Sequence, residues 1–248
     1  MSDAALMTLI RTIVTTDDTV AFQLLASNLA LAKARFEIGA TRQTAESFYL
    51  NEIGHYIYAG DTALHLAAAA YRQEIVSKLI ATGANVHARN RRGAEPLHYA
   101  VDGMPGSRRW NPPAQAATVA HLIEAGADPN ATDKSGVTPL HRAVRTRCAA
   151  AVKALLEGGA DPRRKNNSGS TPMLLATQNT GRGGSGSSEA KAQQELIVQL
   201  LREHINRQIR SKSDMRTRSD GSQSKPSPPC QFKASIGLLT AGGHARQQ

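Results

Sequence analysis

An all-α fold, made of short helix–turn–helix units laid side by side, is predicted by three features of this sequence. Glycines 60, 93, 136 and 169 open similar blocks and stand 33, 43 and 33 residues apart. The clearest block is Gly136-Val137-Thr138-Pro139-Leu140-His141-Arg142-Ala143-Val144. Thr138 stands at a helix N-cap, Pro139 at the first helical position, and Leu140, Ala143 and Val144 form one apolar face. A second run with the same spacing follows, Val152, Leu155 and Leu156, and Gly159-Ala160-Asp161 ends it. Neither helix can bury its stripe alone, so each pair needs a neighbouring copy.

Taken in order, residues 1–59 carry helical spacing but no registered repeat. Leu6, Leu9, Ile10 and Ile13 share one face, and Asp17 or Asp18 can cap a second helix with Val20, Ala21, Leu24 and Leu25. Asn28 to Phe36 reads as further helix stopped by Gly39, and Thr41 to Glu46 can open another. Six of the ten aromatic residues lie in this segment, among them Phe48, Tyr49, Tyr56 and Tyr58. It is expected to be a helical cap over the open end of a stack, as solenoids require.

Residues 60–204 divide into units 60–92, 93–135, 136–168 and 169–204. The first three end in a Gly-Ala-Asp or Gly-Ala-Asn block. The second unit gains extra residues across Gly103 to Pro113, stiffened by proline and holding the sole Trp. The fourth gains a Gly/Ser-rich stretch across Thr180 to Ser188, expected to be mobile. Beyond His204 the apolar periodicity fades, and residues 205–248 are expected to form a disordered basic tail.

A period near 33 with a Thr-Pro-Leu-His core resembles the ankyrin-repeat family over Gly60 to about His204. The resemblance implies a four-repeat solenoid in which the stretches Val86–Arg92, Pro129–Ser135 and Pro162–Ser168 form β-hairpin fingers. It also implies that His65, His98 and His141 bond to finger backbone and tie neighbouring repeats together. Leu174 replaces the histidine in the fourth repeat, which suits a terminal copy.

The net charge is +10. Residues 1–59 hold four Lys/Arg and six Asp/Glu, residues 60–204 eighteen and twelve, and residues 205–248 eight and two. The surplus therefore belongs to the repeats and the tail, and points to an acidic partner. No apolar run reaches the length of a membrane span. The first residues lack a signal peptide's basic stretch, and two cysteines, Cys148 and Cys230, make no disulfide framework. The expected location is cytoplasmic.

No catalytic, cofactor-binding or metal-binding set emerges. The repeat histidines have no Cys, Asp or Glu at ligand spacing. Gly181 to Ser188 lacks the order and the lysine of a phosphate cradle. Cys148 lacks a positioned base and reads as a packing or surface residue. The resemblance implies instead a non-catalytic scaffold that binds another protein along its concave side, with no small-molecule substrate and no membrane. Carried onto this chain, the contact positions are Arg91, Arg92, Ala94 and Asp102, then Lys134, Ser135, Val137, Arg145 and Thr146, then Asn167, Ser168, Ser170, Gln178 and Asn179. Trp110, beside Arg109, joins them either as an interface anchor or as a side chain folded back onto the stack. The alternative function is weak, salt-sensitive nucleic-acid association through the basic tail.

Overall fold

A computed structural model describes residues 3–15, 18–178 and 187–220, with side chains described as far as residue 210. Its elements are α1 (Asp3–Val14), α2 (Asp18–Ser27), β1 (Tyr49–Leu50), β2 (His55–Tyr56), α3 (Ala63–Ala69), α4 (Gln73–Ala81), α5 (Pro96–Ala100), α6 (Pro112–Glu124), α7 (Pro139–Arg145), α8 (Ala149–Glu157), α9 (Pro172–Thr177) and α10 (Ser188–Asp220). Chain contacts separate Met1–Arg207 from Gln208–Gln248. Everything below concerns the first of these, except that α10 itself continues to Asp220.

Each predicted repeat is a pair of antiparallel helices. The first helices form one layer, α1 on α3, α3 on α5, α5 on α7 and α7 on α9, and the second helices another, α2 on α4, α4 on α6 and α6 on α8. Leu64, Leu97 and Leu140, one per repeat, are fully buried between the layers. The helix starts follow the expected chemistry: the Thr138 hydroxyl accepts from the His141 N–H, and the Thr171 hydroxyl from the Leu174 N–H.

Three histidines carry the stack from one repeat to the next. In His65 the Nδ1 accepts from the Thr62 N–H, so Nε2 holds the proton and donates to the Ala94 carbonyl at 3.1 Å. His98 likewise bonds Glu95 N–H and the Val137 carbonyl, and His141 bonds Thr138 N–H and the Ser170 carbonyl. The fingers also join directly: Arg91 N–H donates to Ala59 O, Lys134 N–H to Arg92 O, and Asn167 N–H to Ser135 O. This close approach leaves no room for a side chain at Gly60, Gly93 and Gly136, whereas Gly169 meets open space and is set by its φ of +77. Gly136 has φ +70, and a Cβ there would lie 2.8 Å from the Asn167 nitrogen.

The fingers themselves are tight turns, each closed by a backbone bond such as Asn90 N–H to Ala94 O or Asp133 N–H to Val137 O. Among the described residues, the one two-stranded sheet lies in the N-terminal segment, where Tyr49 pairs with Tyr56 and Leu50 with His55. That corrects the expectation of further helix there. The stretch Asn28 to Phe36 keeps only a 3-10 turn at Leu29–Ala32, and Thr41 to Glu46 turns without opening a regular helix. Thr41, Gln43 and Thr44 bond one another's hydroxyl, amide and backbone groups instead, the local competition that favours turns.

The N-terminal segment begins with one more helix pair, its Leu6, Leu9, Ile10 and Ile13 buried and α1 packed on α3. Past His204, α10 runs on to Asp220. Ile197 and Leu201 anchor the helix, Gln193 accepts from the Ala149 N–H, and the straight-chain Arg, Gln and Lys residues that follow favour propagation. Residues 221–248 of the expected tail, and Asn179 together with Thr180 to Gly186 of the fourth-repeat insertion, lie outside the described residues.

Candidate functional site

The concave side is built by the first helices of the repeats, and its predicted contact residues divide sharply by burial. Arg91, Arg92, Lys134, Ser135, Asn167, Ser168 and Gln178 are exposed. Arg145, Thr146 and Ser170 are half-buried. Ala94 and Val137 are inside the stack, so their place among the contact positions is corrected: what they offer is a carbonyl, already taken by His65 and His98. Asn179 falls outside the described residues.

Trp110 folds against the stack but is not covered. The indole is half-buried, its Nε1 donates to Gln115 Oε1 at 3.1 Å, and the Gly103 backbone lies so near that a Cβ there would come within 2.9 Å of the ring. Cys148 is buried beneath the same turn, and burial pushes its thiol up to about 11, so it is a packing group.

Sequence reasoning missed the central feature, a polar cluster that crosses three elements. The β1–β2 hairpin lays His55 on the concave face, its ring 4.3 Å from Tyr99 and its Nε2 3.1 Å from Asp102 Oδ2. From the other side Arg142 Nη1 donates to that same Oδ2 and to the His98 carbonyl, each at 3.1 Å. Burial would raise the Asp102 carboxyl, but Arg142 and His55 outweigh it and hold the group below its ordinary value. The Tyr71 hydroxyl donates to the Asp102 carbonyl and accepts from Gln115.

Beneath His55, the buried Asp61 carboxylate accepts from the Tyr99 hydroxyl at 2.8 and 2.9 Å, from Asn90 Nδ2 at 2.9 Å and from the Tyr58 N–H at 2.7 Å. Removing that hydroxyl with Tyr99→Phe is expected to cost about 2 kcal/mol, since it bonds a buried charge. Denaturant unfolding measures this, and an unchanged midpoint would mean that Asn90 and the backbone satisfy Asp61 without it.

Together the hairpin, the Gly103–Trp110 loop and the first helices of three repeats enclose a cavity of about 530 Å³. Its wall includes Tyr49, His55, Tyr56, Tyr71, Tyr99, Trp110 and several arginines. Nothing here assembles a nucleophile with a base. Among the described residues, no group of three or more His, Cys, Asp or Glu side chains could hold a metal ion. No helix there is long and apolar enough to cross a membrane.

Three family models match the chain. One for ankyrin repeats in three copies covers residues 29–107, one for a single ankyrin repeat covers 92–134, and one for ankyrin repeats in many copies covers 122–176. None of the curated proteins compared with the chain matches it. The first match begins at residue 29, after α1 and α2 have ended, and so takes in the Tyr49–Tyr56 hairpin but not those two helices. Ankyrin repeats are generally protein–protein interaction modules and typically non-catalytic. Helix pairs joined through a buried histidine, with matching models from residue 29 to residue 176, place this chain in the ankyrin-repeat family.

Proposed function

We propose that this chain is a cytoplasmic, non-catalytic adaptor that docks an acidic surface of another protein against its finger edge and concave side. The observation that carries this reading is the row of cations along the joined fingers. Arg92, Lys134, Arg163 and Lys165 are all exposed there, on backbone that the finger-to-finger bonds hold in register. Such a row gives a long-range field that steers a negative partner and fixes its register. Arg91 is a poorer contact, because its guanidinium bonds the Ala40 carbonyl and lies over Tyr58.

Affinity capture with the wild type and with a Lys134→Glu/Arg163→Glu/Lys165→Glu variant tests the reading. The three side chains are exposed, so the variant should fold as the wild type does. Acidic partners retained by the wild type are expected to be lost from the variant, and retention on the wild type should weaken as salt is raised. An identical partner set on both would refute it.

A further inference from the structure

The two rims of the concave cavity come from segments that a repeat does not need: the β1–β2 turn and the loop inserted between α5 and α6. They meet closely, since a Cβ on Gly54, which has φ +66, would lie 3.1 Å from the Arg109 guanidinium. Their meeting turns an open face into a bounded trough of about 530 Å³, within the range of about 300–1,000 Å³ that encloses ligands.

The charge of the trough is one-sided. Its wall carries five arginines, among them Arg92, Arg109 and Arg145, against two carboxylates, Glu52 and Asp102. Asp102 already answers Arg142, while Arg92 bonds the hydroxyl of Tyr58 and lies over its ring, contacts that leave its charge in place. Between the cations the wall is aromatic, with the exposed Tyr56 and the half-buried Tyr71 and Trp110.

We propose that this trough takes a short acidic segment of a partner protein, its apolar or aromatic side chain over Tyr56, Tyr71 and Trp110 and its carboxylates toward Arg92 and Arg109. The proposal rests on the acidic-partner reading above and adds the place and the form of the contact. The seven-residue α7 is about 10 Å long, which an extended segment of about three residues matches. The chain's own C-terminal stretch is a poor occupant, since residues 205–248 carry eight basic against two acidic residues and share the sign of the trough.

Trp110 is the sole tryptophan and lines the trough, so its fluorescence in the full chain reports occupancy. The probe is a pool of capped tetrapeptides with Glu at two positions and Leu, Phe or Tyr at the others. A matching pool with Lys for Glu, and inorganic phosphate alone, serve as comparisons. A saturable change with the acidic pool is expected, roughly tenfold or more tighter than with the lysine pool and absent with phosphate. Arg109→Glu and Tyr56→Ala should each weaken it by roughly tenfold or more, and Lys134→Glu should not. Both altered side chains are exposed, and unchanged circular dichroism melting verifies that the variants fold.

No saturable response up to millimolar peptide, an equal response to lysine peptides, a response to phosphate alone, or full binding by Arg109→Glu overturns the proposal. Binding that Lys134→Glu abolishes and Arg109→Glu leaves intact overturns the trough while the finger-edge reading stands.

Discussion

Acidification from about pH 7 to about pH 5 is expected to destabilise the repeats by several kcal/mol, because three buried histidines must stay neutral for the stack to hold. His65, His98 and His141 each use Nδ1 to accept a backbone N–H and Nε2 to donate to the next finger. A proton on Nδ1 would face that N–H donor head on. Burial lowers all three rings below the ordinary histidine value, and for His98, where Arg142 adds to the effect, the value falls to about 3.

The sign follows from proton counting. Between about 3, the folded value of His98, and about 6.5, the unfolded chain binds a proton that the folded chain refuses. Stability is therefore full above the unfolded value and is lost as pH falls through it, at about 1.4 kcal/mol per pH unit for each such ring. His98 alone contributes about 2 kcal/mol of loss by pH 5, and the other two act in the same direction. Asp102 titrates in a separate and lower window, since its depressed carboxyl contributes stability above the ordinary unfolded value near 3.9 and loses it below. Thermal unfolding followed by circular dichroism should show a midpoint that drops steadily below about pH 6.5, with a shallower slope in His98→Gln. A flat profile to pH 5 would mean that these rings accept protons in place.

What made the histidines legible is that the repeat is a local pattern copied along the chain. Gly136, Thr138, Pro139, Leu140 and His141 each have a reason readable within one helical turn, and the copies at 60, 93 and 169 fix the register. The first helix of the N-terminal segment was legible from spacing alone, Leu6, Leu9, Ile10 and Ile13 all being buried where their spacing puts them. The hairpin was not. Its strands are two residues each, too short to show alternation, and its place is set by His55 meeting Asp102 and Tyr99, which lie in a later repeat. Transfer of contact positions by offset failed at Ala94 and Val137 because offset identifies a residue, while here the carbonyl is what the neighbouring repeat uses. The same distance effect hid Arg142, whose role depends on Asp102 and not on its own helix face.

Replacing Arg142 by leucine is expected to cost about 3 kcal/mol, and the cause is what the change leaves behind. Arg142 is nearly buried and reaches from α7 to the Asp102 carboxylate and the His98 carbonyl, with Asp133 3.9 Å away. Without the guanidinium, the His98 carbonyl loses its side-chain donor and Asp102 keeps the hydrogen bond to His55 and the weaker pull of Arg145. Asp102 is partly open to water, with its side chain 26% exposed, so solvent relieves part of the penalty and the lower end of the usual range for a broken buried pair applies. The double variant Arg142→Leu/Asp102→Leu should therefore be less destabilised than the two single losses summed, because the stranded charge is gone along with its partner. The loss should also travel: His55 holds the hairpin to the concave face through the same carboxylate, so amide hydrogen exchange at residues 49–56 is expected to quicken in Arg142→Leu and in Asp102→Leu alike. Additive single effects with unchanged exchange would show that Arg142 contributes packing alone, and that the hairpin is held to the repeats by the ring contact between His55 and Tyr99.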